Sequence, residues 1–429
     1  MSLPSAVETA IIGAGQCGLA ASHFLSQAGR EHLVLEARQT LGGGWQDRWD
    51  AFRLVTPNWI SSLPGFAFEG PEPDGFMARD GIVGRIARYA EVVGAPVVLG
   101  TRVTRLFAAG SGSGFRLETS GGSMQAQHVI VACGCAHRPV RPPIAAGLPR
   151  RVTQLHSHEY RNEASLPPGG VLLVGAGQSG VQFAEELLGA GRRTYLAVGS
   201  AGWCPRRYRG RDLFAWLWTL AVDGPRLGAS LPTAEGLPDP RARLAANPQL
   251  TGHGGGHDID LRALAEGGLG LVNRLLAVDG ERVSFVPGLD AALARAEGFF
   301  DERLRPQIDR YIQAAGLDAP EEPRRRSTFA PPERLELDLA GAGIGTVIWT
   351  TGYRPDFGWI DLPIFDEEGL PRHRRGVSEV PGLGFLGLLW QHNQASATLF
   401  GPTQDGAYLV EAMGLGPPIQ PSRPAGSPA

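Results

Sequence analysis

Gly13-Ala-Gly-Gln-Cys-Gly18 and Gly175-Ala-Gly-Gln-Ser-Gly180 are one hexapeptide written twice, 162 residues apart. Each follows an apolar run, Ala10-Ile-Ile12 or Val171-Leu-Leu-Val174, and opens a segment of helical periodicity. At the same offset Gly29-Arg30 falls on Gly191-Arg192, so two helices of equal length lead into two second strands. The spacing has a physical reading. The first glycine (Gly13, Gly175) permits a tight turn, the second (Gly15, Gly177) lets backbone approach a pyrophosphate, and the third (Gly18, Gly180) lets helix pack on strand. Gln16, Gln178 and Ser179 stand at helix starts, whose N–H groups attract the anion. A second pair supports two βαβ units: Val129-Ile-Val-Ala-Cys-Gly134 before Arg138-Pro139, and Val347-Ile-Trp-Thr-Thr-Gly352 before Arg354-Pro355.

The copies differ at the residue that selects the ligand. Glu36 closes the strand His32-Leu-Val-Leu35, where a carboxylate accepts both hydroxyls of an adenosine ribose; its counterpart is Val198. A carboxylate repels a 2′-phosphate, whereas Val198-Gly199-Ser200, followed by Arg206, Arg207, Arg209 and Arg211, offers neutral room and guanidinium forks. The first site is expected to take FAD and the second NADPH, the Arg run serving as phosphate fork or as a solvated loop.

Composition narrows the class. A chain of 429 residues, 43% hydrophobic, supports two domains with sizeable cores and excludes wholesale disorder. Forty basic residues against 43 acidic leave a net charge of -3, which gives no basis for a nucleic-acid or anionic-membrane partner. All 40 basic residues are Arg, so Schiff-base lysines and P-loops are excluded. The start lacks a basic signal-peptide region, and no run approaches the roughly 18 to 20 apolar residues of a spanning helix. Four cysteines fit a reducing, cytoplasmic setting. Cys133 and Cys135 lack C-x-x-C spacing and are expected to be buried small residues at a strand end.

With both glycine motifs in place, the chain resembles the flavin-containing monooxygenase superfamily over nearly its whole length. Gly42-Gly43-Gly44-Trp45 is similar to that family's G-G-x-W segment, and Thr350-Thr351-Gly352-Tyr353-Arg354-Pro355 to its A-T-G-Y stretch. His156 and Tyr160 match the end of its fingerprint F-x-G-x-x-x-H-x-x-x-[YF], while Arg150 and Val152 occupy the leading Phe and Gly positions. The resemblance implies an α/β fold of two Rossmann-like domains, the NADPH domain inserted into a discontinuous FAD domain. It also implies that NADPH reduces FAD, that O2 forms a flavin C4a-hydroperoxide, and that one oxygen passes to a small-molecule substrate. Tyr160-Arg161 stands where ester-forming relatives carry Trp-Pro or Trp-Asp, which favours heteroatom (N- or S-) or decarboxylative oxidation over ester-forming ketone oxidation. Gly44, Trp45, Arg53, Gly352, Tyr353, Arg354 and Thr403 join the glycine motifs as expected cofactor contacts, with Arg48 and Trp49 in the same loop as Arg53. Asn58, in Thr56-Pro57-Asn58-Trp59, matches the family's peroxide-stabilising Asn, and beside Pro57 it also suits a plain turn. Two other classes stay open: an NADPH-dependent reductase of the disulfide or ferredoxin type, which the missing C-x-x-C disfavours, and a non-catalytic flavin redox sensor.

Residues 1–165 and 331–415 are expected to form the FAD domain, 166–330 the NADPH domain with an insertion at 203–265, and 416–429 a flexible tail. Pro167-Pro168-Gly169-Gly170 reads as the entry linker and the Pro/Arg-rich run 319–332 as the return. A β-meander is expected over 97–106, 115–119 and 128–131. Pro402-Thr403 should open a helix to Met413, whose positive end faces the flavin pyrimidine in related enzymes. The insertion holds an apolar helix, Asp212 to Leu220, that suits a tunnel wall or lid better than a membrane face. It also holds Gly252-His253-Gly-Gly-Gly-His257, whose glycines favour a loop over a metal-binding helix. The expected partners are a small substrate and O2; a homodimer is compatible with this composition.

Overall fold

The duplicated apolar runs become the central strands of two sheets. A computed structural model describes residues 3–110, 114–321 and 326–418. The chain opens with β1 (Ala6–Ile12), α1 (Gln16–Gln27), β2 (His32–Leu35), α2 (Arg79–Val92), β3 (Val97–Val98), β4 (Val103–Ala108), β5 (Phe115–Thr119) and β6 (Gly122–Val131). It crosses through β7 (Arg138–Pro139) into β8 (Thr153–His156), β9 (Gly170–Val174), α3 (Gln178–Gly189) and β10 (Thr194–Ala197). The insertion supplies β11 (Arg207–Tyr208), β12 (Arg211–Asp212), α4 (Leu213–Val222) and α5 (Leu261–Glu266). Then come β13 (Gly270–Val272), β14 (Leu275–Asp279), β15 (Arg282–Phe285), α6 (Leu289–Arg303), α7 (Arg305–Ala315), β16 (Glu336–Asp338) and β17 (Ile344–Trp349). The chain ends through β18 (Tyr353–Arg354), β19 (Ile360–Asp361), β20 (His373–Arg374), β21 (Val377–Ser378), β22 (Leu383–Phe385) and α8 (Gly401–Ala412).

The first sheet runs β19-β4-β5-β6-β1-β2-β3, with β22 also on β6; β1 is parallel to both β2 and β6. The second runs β13-β10-β9-β17-β8 and is parallel throughout. Strands buried on both faces read as continuous apolar runs, as GVLLV in β9 does. This is the expected α/β architecture of two Rossmann-like units.

Two expectations change. The stretch 97–106 splits: β3 extends the parallel sheet beside β2, and the antiparallel meander begins only at β4. The domain boundaries also move. β8 precedes the Pro167-Pro168 segment yet pairs with β17, Thr153 opposite Thr346, and β17 follows the expected return at 331 yet lies in the second sheet. The Pro167-Pro168 segment thus lies between two strands of the second sheet, β8 and β9. The chain crosses instead at β7 and β18, which pair with each other, Tyr353 opposite Pro139 and Arg354 opposite Arg138. Residues 322–325 of the expected return linker and 419–429 of the expected tail lie outside the described residues.

The third glycine of each motif sets how close helix and strand lie. A Cβ on Gly18 would stand 1.8 Å from Gly13 O, and one on Gly180 would stand 1.9 Å from Gly175 O, both far inside contact distance. Gly189, also in α3, has open space around it. Gly180→Ala should therefore lower the thermal unfolding midpoint, with a loss of about 1–3 kcal/mol from overpacking. Gly189→Ala should leave the midpoint unchanged or raise it, by up to about 1 kcal/mol, through helix propensity.

Candidate active site

At the first turn Gly13 adopts φ +105, where a Cβ would meet Ala132 O at 2.8 Å; Gly15 has nothing within 4 Å of its Cβ position. The start of α1 carries no side-chain cap, so its first N–H groups remain for an anion. Glu36 is buried, and its carboxylate accepts from Ala14 N and Arg38 N at 2.8 Å each, which fixes it at the end of β2 with lone pairs to spare. Trp45 donates Nε1 to Gln16 Oε1 at 3.1 Å, tying the Gly42–Trp45 loop to the turn; Gly44 is exposed there. At the far end α8 packs on α1, also without a side-chain cap, with Thr403 buried in its first turn. The open face at Gly15, the uncapped helices and the buried carboxylate fit an FAD.

The second turn repeats this geometry. Gly175 has φ +111 and a Cβ position 2.7 Å from Thr350 O, and Gly177 matches Gly15 in backbone, φ -73 and ψ -175 against -76 and -176. Gln178 and Ser179 begin α3. Val198, buried, donates its N–H to Val272 O, and Ser200 is exposed just beyond. Thr350 Oγ1 donates to Gly175 O at 2.6 Å, a brace with no sequence signal beyond its place in the A-T-G-Y-like stretch. The insertion folds over this turn: Gln249 donates to Ala176 O at 3.0 Å, and Gln182 to Leu250 O at 2.8 Å.

The two units meet around the loop from Trp45 to Ser61. Trp49 packs edge-on against Phe183 of α3 at 4.8 Å, and Tyr160 lies 4.4 Å from the same ring while donating to Glu186 Oε1. His156 pairs Nε2 with Gly352 O at 3.0 Å, and its ring meets Tyr353 edge-on. The fingerprint residues thus brace the second unit internally and tie it to the crossover strand β18. Arg354 is exposed on the crossover ribbon, and Arg53 donates to Phe76 O. Asn58 is buried in a 3-10 turn; its amide donates to Glu72 O at 2.9 Å while Oδ1 has no partner among the described residues. Turn chemistry fixes its position and one polar atom stays unmet. Beside it Trp59 and Ile60 pack with Ala215 and Trp218 of α4 and Phe400 at the start of α8, an apolar wall that places the insertion helix at this seam.

Arg206 corrects the expectation for the Arg run. It is 1% exposed, grips Asp212 with both arms (2.8 and 2.6 Å), donates to Val55 O at 2.7 Å, and lies over the rings of Phe76 and Phe214. Its own N–H donates to Asp258. Every arm of the fork is engaged in joining the insertion to the flavin-side loop, so Arg206 has none to offer a phosphate. Arg209 is engaged with Asp309, whereas Arg207 is exposed. Cys133 also departs from expectation: β6 ends two residues earlier, and the chain turns at Gly134 (φ +80), leaving Cys133 exposed beside Gly13. His257 pairs with Glu185 at 2.7 Å, which raises its pKa, and Gly254 at φ +57 breaks any helix between the two histidines.

Over 406 residues the chain is 30% identical to the uncharacterized oxidoreductase CzcO-like of Geobacillus kaustophilus (strain HTA426), covering 94% of this chain and 97% of that one. The chain belongs to the CzcO-like oxidoreductase family. A pyridine nucleotide-disulphide oxidoreductase family model matches residues 10–215. Indole-3-pyruvate monooxygenase YUCCA1 of Oryza sativa subsp. japonica is 29% identical over 199 residues, 46% of this chain and 48% of its own. The fold is that of the flavin-containing monooxygenase from Stenotrophomonas maltophilia, with a TM-score of 0.64 at 22% identity over 96% of this chain and 99% of that one. The resemblance to flavin-containing monooxygenases thus holds for the fold. Among the described residues no helix is long and apolar enough to cross a membrane.

Replacing Arg206 in this CzcO-like chain should expose its structural role. Arg206→Met strands the Asp212 carboxylate and should cost about 3–5 kcal/mol. Arg206→Met/Asp212→Asn should recover most of the unfolding midpoint, since Asn neutralises the site and still caps α4.

Proposed function

We propose that this protein is an FAD-dependent monooxygenase, reduced by NADPH, that passes one oxygen atom of O2 to a nitrogen or sulfur of a small substrate. One observation carries this function: two glycine turns of matched geometry that differ at the ribose position, Glu36 against Val198, flanking one seam. Bound FAD supplies hydride acceptance and oxygen activation. Glu36 suits a ribose with free hydroxyls and Val198 leaves room for a 2′-phosphate, for which Ser200 and Arg207 remain exposed. The similarity to an indole-3-pyruvate monooxygenase supports oxygen transfer over a reductase role.

The chain's own residues define the seam's chemistry. Trp59, Ile60, Trp218 and Phe400 keep water out and suit an apolar substrate body. The uncapped start of α8 would offer positive potential to a flavin held beside it. The unmet Oδ1 of Asn58 beside this wall supports a role for it in orienting a reacting group.

Purified protein should carry FAD and consume O2 with NADPH, and labelled O2 should appear in product when amine or thioether substrates are screened. Flavin reduction that delivers electrons only to disulfides or ferredoxin, with no O2-derived oxygen in any product, would favour the reductase class. Copying the first site into the second, Val198→Glu, should lower kcat/KM for NADPH relative to NADH by about 10- to 100-fold, from carboxylate-phosphate repulsion. An unchanged ratio would place the 2′-phosphate elsewhere.

A further inference from the structure

Among the described residues the Arg48 guanidinium has no carboxylate in ion-pair contact. Its Nε is buried without a hydrogen-bond partner, and the adjacent carboxylate, Asp47, is taken by Arg38. The guanidinium lies by the rings of Trp45 and Phe52, at 5.6 and 5.7 Å from their centroids. Trp45 is bonded to Gln16 at the start of α1, so the cation is tethered to the first glycine turn. Burial holds its pKa below the usual arginine range, with Tyr353 and Asp47 acting in the opposite direction. Tyr353 stands just past β17, three residues beyond Thr350, whose hydroxyl braces the second glycine turn. Arg48 therefore sits where the two dinucleotide sites converge.

A guanidinium with a buried, unpartnered Nε is costly, and its planar fork suits phosphate or carboxylate. The uncapped start of α1 would serve an FAD diphosphate, and that of α8 a flavin pyrimidine. We propose that Arg48, with the Tyr353 hydroxyl, receives the phosphate on the nicotinamide side of the dinucleotide held at the second glycine turn. This assignment rests on the NADPH-dependent function above and adds a contact made from the FAD-side loop across the seam.

The test is equilibrium binding to the oxidised holoenzyme, read by flavin absorbance or calorimetry. Arg48→Met keeps an unbranched stem and removes the fork. NADP⁺ should bind about 10- to 100-fold more weakly. Adenosine 2′,5′-bisphosphate, which has the adenine half but no nicotinamide-side phosphate, should bind as it does to wild type. Tyr353→Phe should retain FAD and weaken NADP⁺ by a smaller factor, about 2- to 10-fold. Unchanged NADP⁺ affinity, or equal weakening of both ligands, would overturn the assignment. So would loss of FAD in Arg48→Met together with normal NADP⁺ affinity in Tyr353→Phe. If wild-type holoenzyme binds no NADP⁺, the NADPH-dependent function itself fails.

Discussion

Everything in this molecule hangs on two missing methyl groups per glycine turn. With Cβ atoms at the first and third glycines, helix and strand would be forced apart, because each Cβ would press into a carbonyl oxygen of the same turn or of the neighbouring strand's end. Their absence lets an uncapped helix start sit at the carboxyl edge of a parallel sheet, the place where open α/β sheets bind ligands. Repeating that construction gives two such edges, and the loop from Trp45 to Ser61 fills the space between them.

A chain with 60 Gly and 34 Pro is rich in loops, and its arginines act as their ties. Arg192 bonds the carbonyls of Leu166, Pro167 and Gly169 as well as Glu163. Arg161 reaches the carbonyls of Asp47 and His158, and Arg85 those of Ser61 and Phe66. Arg206 is the buried extreme. A lysine presents one compact charge and cannot fan several N–H groups in fixed directions, which gives the exclusive use of Arg a structural reason.

What the sequence made legible was local. Both βαβ units, Glu36 against Val198, and the helix opened by Pro402 follow from residues close together in the chain, where turn and capping chemistry act. What escaped depends on distant partners. β8 has a mixed sequence, Thr-Gln-Leu-His, and becomes a strand because β17 lies beside it. Arg206 looks in sequence like any member of an exposed Arg run; its fate is set by Val55, Asp258 and Phe76, far away along the chain. Asn58 beside Pro57 suits a turn as well as a reacting-group contact, and only the fold shows that it stands in a 3-10 turn and which of its polar atoms remains unmet.

The crossover ribbon of β7 and β18 shows a second use of the repeat. Each strand comes from the same region of its copy, the stretch around the Arg-Pro pair that follows the strand returning to its own glycine turn. The two stretches pair with each other where the chain passes between halves, Arg138 opposite Arg354. Backbone as well as side chains tie the halves together around that ribbon: Asp50 N donates to Arg161 O and Ala234 N to His392 O, while Trp49 packs on Phe183 and Arg206 bonds Val55 O. The repeated sequence thus supplies a clasp between the halves as well as a second glycine turn, each copy completing a strand pair that neither could form alone.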